Sequence, residues 1–137
     1  MEALAMTVPF WCLAIVCFLP YVWGFVSIPE RQKQLGRIDN KDPRGQQAQL
    51  TGRGARAMAA HKNAFEAIAV FAPAVIVAHI AGADPVWSSR LAQIFVSARL
   101  LHGIFYLQDL DLARSSVFGI ALACDAGLFV LAAQAAP

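Results

Sequence analysis

Arg99, His102 and Tyr106 stand at i, i+3 and i+7 in VWSSRLAQIFVSARLLHGIFYL, residues 86–107. On a helix these positions share one face. An arginine at membrane depth costs at least about 2.5–3.5 kcal/mol. That edge must therefore face a polar interior. A second set lies upstream: Asn63 and Glu66 are spaced i, i+3, with Arg56 two turns before Asn63. Two readings of this stripe stay open. One is a polar edge that binds a charged, peptide-like ligand; the other is inter-helix hydrogen bonding, worth about 0.6–2 kcal/mol per contact in membranes. A third set is Arg114-Ser115-Ser116. Serine is a good N-cap, and arginine beside a helix N-terminus makes an anion site. His61 points away from Asn63 by helical geometry, and His79 reads as an interfacial histidine. No group of His, Cys, Asp and Glu has metal-site spacing. There is no glycine-rich phosphate loop, and no serine or cysteine has an evident base partner.

The elements that must position these groups are membrane spans. The 137 residues are 58% hydrophobic and 15% charged, against roughly 45–50% and 25% in soluble domains. Net charge is only +2, which makes no case for nucleic acid. Four segments have roughly spanning length: about 5–28, 54–82, 86–107 and 115–136. The first lacks Lys and Arg ahead of it, and its apolar run is longer than that of a signal peptide. It reads as a retained helix. Arg31, Lys33, Arg37, Lys41, Arg44 and Arg53 crowd the loop after it. By the positive-inside rule that loop is cytoplasmic and both termini lie opposite. The loop, about 28–51, reads as irregular with room for one short helix, and as partly disordered. Cys12, Cys17 and Cys124 read as small apolar packing residues. Trp11, Tyr21, Trp23 and Trp87 suit aromatic belts. The expected architecture is a single all-α, integral membrane four-helix bundle over residues 1–137. The lack of targeting signals suits a bacterial inner membrane.

The second segment is divided. Arg56, His61, Lys62, Asn63 and Glu66 precede an apolar run from Ala67 to Ile80. That run gives only about 21 Å of helix, short of a core of about 30 Å, so the polar turns must enter the membrane zone. Small residues from Ala57 to Ala69 suit close helix approach. Asp125 lies ten residues beyond Ser115, at a depth matching that of Arg99. Asp125 or Glu66 is expected to neutralise Arg99, because an unpaired buried charge is severely unfavourable.

Two stretches resemble the superfamily of membrane-associated proteins in eicosanoid and glutathione metabolism (MAPEG). RAMAAHKNAFEAIAVFAP is similar to the family's second helix, with basic residues, Asn-x-x-Glu and an apolar run with proline. ARLLHGIFYLQDLDLARSS is similar to its Arg-x-x-His-x-x-x-Tyr, short turn and Arg-Ser. The resemblance implies a homotrimer that binds glutathione, as co-substrate, in polar clefts between subunits. It implies a membrane-bound transferase or peroxidase acting on a lipophilic electrophile. By position, Asn63 and Glu66 would hold the glutathione backbone, with Arg56 and Lys62 as basic partners. Arg99, His102 and Tyr106 would complete the wall, and Arg114 with Ser115 would lie near the sulfur. The family's arginine four residues before the Asn is Ala59 here, a helix-four tyrosine is Phe118, and the first-helix arginine is loosely matched by Arg31. The alternative on the same scaffold is a non-catalytic membrane protein that binds lipid or a partner. A weaker third is a proton or solute pathway along Arg99, Glu66 and Asp125.

Overall fold

The structure is a computed structural model that describes residues 6–135. All regular structure among them is helical: α1 (Val8–Leu35), α2 (Pro43–Ala48), α3 (Gly52–Ile80), α4 (Pro85–Leu107) and α5 (Asp111–Ala135). Local chemistry sets most of these bounds. Pro43 and Pro85 open α2 and α4, where a missing N–H is harmless. The side chains of Asp42 and Asp84 cap them, accepting from the backbone N–H of Gly45 at 2.9 Å and of Trp87 at 2.8 Å. Gly36, at φ 73°, ends α1 in the left-handed conformation, which glycine adopts without a Cβ penalty.

α1 packs chiefly on α3 and α4 on α5, while α3 also contacts α4 and α5. The core draws Val16, Phe71, Phe95 and Leu128 from four helices. Phe71 and Phe95 stack with centroids 3.8 Å apart. Ala57, Ala60, Ala64, Phe71, Ala74 and Ala78 form a buried stripe on α3, with spacings of three, four and seven that keep one face against its neighbours. Ala69, by contrast, is exposed. At Gly103 a Cβ would collide with the Trp23 indole. This glycine lets α1 and α4 approach, and it places Trp23 in the interior at 6% exposure, not in an aromatic belt. Trp11, Tyr21 and Trp87 do stay exposed. So do Phe18, Phe25, Ile80 and Leu112, leaving an apolar exterior that needs lipid or protein around it.

Several boundaries depart from the sequence reading. α1 passes through Pro29 and continues to Leu35, so the polar stretch is shorter than 28–51. The expected start near Ala5 and the end at Ala136 lie outside the described residues. The loop is ordered, because buried Arg31 donates to Gln46 Oε1 through Nε at 2.8 Å and Nη2 at 2.6 Å, and to the Asp39 carbonyl at 3.3 Å. Gln46 in turn donates to the Arg37 carbonyl at 2.6 Å and accepts from the Asp39 N–H at 3.0 Å. α5 begins at Asp111, four residues before Ser115. Finally, among the described residues three helices, not four, are long and apolar enough to cross a membrane: α1, α3 and α5. At 23 residues α4 has the length, about 34 Å by helical rise. Arg90, Arg99, His102 and its serines lower its hydropathy.

Candidate functional site

A cleft of about 190 Å³ opens between α3, α4 and α5, with Asn63, Glu66, Arg99, Phe118 and Asp125 among its walls. Helical spacing brings Asn63 and Glu66 to one edge of α3, and α3–α4 packing sets Arg99 against them. Arg99 is buried and donates from Nη2 to Asn63 Oδ1 at 2.6 Å and to the Asn63 carbonyl at 3.2 Å. Asn63 Nδ2 donates to Glu66 Oε2 at 3.2 Å. The amide thus lies between cation and acid, oxygen toward one and nitrogen toward the other, as its donor and acceptor ends require.

The expected partners of Arg99 share its cleft but do not take its direct bonds. Neither Asp125 nor Glu66 forms an ion pair with it among the described residues. Arg99 Nε and Asp125 Oδ1 are both buried and unpartnered. Asn63 wins because it sits directly across from Arg99 on α3. The two orphaned atoms are opposite in kind, donor and acceptor, and they border the same space. Such atoms are rare in native structures and call for an explanation.

His102 and Tyr106 continue along the Arg99 face of α4. Their rings meet edge-on at 5.6 Å, and His102 reaches Phe118 at 6.1 Å. The Arg114 guanidinium lies over the Tyr106 ring, 4.3 Å from its centroid, a cation–π arrangement. A cationic and aromatic wall therefore runs from the cleft toward the α4–α5 turn. Arg114 does not mark a helix start, and Ser115 is not an N-cap. The Arg114 N–H already bonds the Leu110 carbonyl at 2.9 Å, and Asp111 occupies the first turn. The free amides that would have greeted an anion lie one turn earlier, beside that carboxylate. Ser115 is exposed.

The other expected residues go elsewhere. Arg56 pairs with Asp109 at 3.7 Å, tying α3 to the α4–α5 turn. Lys62 lines a separate groove with Arg44, Ala59 and Glu66, so Glu66 borders both spaces. His61 Nδ1 lies 2.7 Å from the Pro20 carbonyl of α1, a contact between helices. Seven cleft residues were outside the expected site set: Ala67, Val70, Phe95, Phe118, Ala121, Leu122 and Asp125. Asp125 had a signal, as the one charge in residues 115–137; Phe118 was marked only by its place where the family carries a tyrosine, and the apolar wall residues had none.

Three apolar spans, and a buried guanidinium joined through an amide to an acid at an inter-helix cleft, define a class: an integral membrane protein with a polar site inside an all-helical fold. The family follows from the chain as a whole. A model described as MAPEG family matches residues 8–134, and the chain belongs to that family. Among curated proteins and solved structures, none matches it.

Proposed function

We propose that the protein is a glutathione-dependent transferase or peroxidase that acts on a lipophilic electrophile and works as a homotrimer. The observation that carries this reading is the Arg99–Asn63–Glu66 relay at an open cleft, in a chain of a family that includes such enzymes. The donor set fits a peptide-like thiol. Glu66 can accept from an ammonium or amide N–H, Asn63 can pair with a peptide group, and Arg99 keeps donors for a carboxylate. His102 and Tyr106 extend the wall, whereas Arg56 and Lys62 lie outside this cleft. The exposed apolar faces suit contact between copies as well as lipid.

Arg114 supplies charge for thiolate formation. A cation within about 4–6 Å of a thiol lowers its pKa by roughly 1–3 units. The helix-end dipole contributes less than the sequence suggested, since the Arg114 amide is already bonded. Ser115 stands beside Arg114 in sequence and can donate a hydroxyl to the sulfur. The thiol proton leaves to water. The sulfur lone pair forms a bond to the electrophilic carbon, and the displaced pair departs with the leaving group. An apolar co-substrate would reach the cleft past Val70 and Leu122, which line it. The proposed orientation puts the α1–α3 loop in the cytoplasm of a bacterial inner membrane.

The test is Arg114→Ala in purified protein, assayed with glutathione and an activated aryl halide. We expect kcat/KM to fall about tenfold or more, the effect of a thiol pKa raised by one unit or more, with the oligomer unchanged. Undiminished turnover would remove Arg114 from the chemistry. A second reading, a binding protein without catalysis, draws on Ala59, which lines the Lys62 groove with a methyl where the family's arginine stands. Glutathione binding without turnover in the unaltered protein selects it.

A further inference from the structure

A second cavity, of about 260 Å³, lies at the other end of the molecule, around the α3–α4 turn. Its walls come from the start of α1, the end of α3, the start of α4 and Leu128 of α5. It differs from the Arg99 cleft in chemistry. Among the described residues no Asp, Glu, Lys or Arg lines it; the polar side chains there are Thr7, His79, Ser88 and Ser89. Two neighbouring serines behave differently there. Ser89 Oγ donates back to the Pro85 carbonyl at 2.6 Å, a usual resting place for a helical serine. Ser88 is 7% exposed, and its Oγ is buried with no partner among the described residues. An unpaired buried hydroxyl costs about 1–3 kcal/mol, and a single rotation about its Cα–Cβ bond re-aims it. His79 keeps its place by an edge-on contact with Phe10, centroids 4.8 Å apart.

We propose that this cavity is a second ligand site, for an uncharged single-chain amphiphile whose hydroxyl or carbonyl end pairs with Ser88. At about 260 Å³ the space is smaller than the roughly 300–1,000 Å³ of typical small-molecule sites and suits only a slender, single-chain ligand. The described walls carry no formal charge, which disfavours an ionic ligand. Pro9, Ala83 and Pro85 offer the apolar body its surface. Trp11 and Trp87 are exposed near this end of α1 and α4, the level at which aromatic residues meet lipid headgroups. An amphiphile at that depth has its polar end where Ser88 lies and its chain along the helices. This site does not rest on the thiol-enzyme reading and uses none of its residues.

The experiment uses the full chain in phosphatidylcholine nanodiscs with a diazirine-bearing decanol, photocrosslinked and mapped by peptide mass spectrometry. We expect labelling concentrated in residues 75–91, displaced by excess decanol and unaffected by glutathione. Ser88→Ala should weaken occupancy about three- to tenfold, the worth of one net hydrogen bond. Ala83→Phe, which plugs the cavity from the turn, should remove the label while leaving the helical circular dichroism unchanged. Labelling spread evenly over the lipid-facing residues overturns the proposal. So does labelling of residues 75–91 that neither variant reduces.

Discussion

Arg31 and Arg99 are both buried, at 6% and 3% exposure, and neither forms an ion pair among the described residues. Burial does not separate them; the state of their donors does. Arg31 spends Nε and Nη2 on Gln46 and the Asp39 carbonyl, groups the chain itself brings round in a loop. Arg99 has Nη2 on Asn63 and an Nε with no partner, beside a cleft that also holds an unpartnered Asp125 oxygen. The first guanidinium completes a structural network. The second is held in place but left able to bond something else. Hydrogen bonds to charged groups contribute about 1.5–3 kcal/mol each, so leaving one unmade in the interior is a cost that a bound ligand can offset.

The sharpest way to break this contrast is Arg99→Met. Truncating one member of a buried, hydrogen-bonded charge pair costs about 2–5 kcal/mol of binding. Glutathione affinity, measured by calorimetry in detergent, should therefore fall about a hundredfold, with little change in melting temperature. Arg31→Met should do the reverse, lowering stability by about 3 kcal/mol in thermal unfolding and exposing residues 36–51 to protease. If the two variants behave alike, donor saturation is not what distinguishes the sites. Arg56 is the intermediate case. Its Nε is also buried without a partner, yet it pairs with Asp109, whose side chain is 70% exposed. Exposed pairs contribute about 0–1 kcal/mol, and Arg56 does not line the Arg99 cleft. Arg56→Gln should shift stability by less than about 1 kcal/mol and change glutathione binding less than about threefold.

The smallest effect concerns the loop that Arg31 holds. Backbone N–H groups of Lys41 and Asp42 donate to Asp39 and hold its carboxyl below the usual 3.8. A lowered carboxyl stabilises the folded loop above the unfolded value, and that contribution fades as pH falls through the folded value. Limited proteolysis of residues 36–51 should be unchanged from pH 7 to 5 and should rise below about 3.8. Asp39→Asn should flatten that rise.

Much of the membrane architecture was legible because hydropathy and helical period act locally. Asn63 and Arg99 could be put on facing edges from spacing and from the cost of arginine in lipid, while Glu66, on the Asn63 edge, stays exposed. What escaped was decided by neighbours distant in sequence. Trp23 looked interfacial until Gly103 made room for it. α5 began a turn early, which moved Arg114 off the free amides. The loop looked loose because nothing in its composition announces that Arg31 and Gln46 meet.

The sequence by itself therefore determined which segments are helical and apolar, and which edges must avoid lipid, since each follows from residue type repeated at 3.6 per turn. Only the tertiary structure decided partners: that Asn63 rather than a carboxylate takes the Arg99 bonds, and that Ser88 is left with none. Pairing depends on distances of a few ångströms between separate helices, and one-dimensional spacing carries no such information.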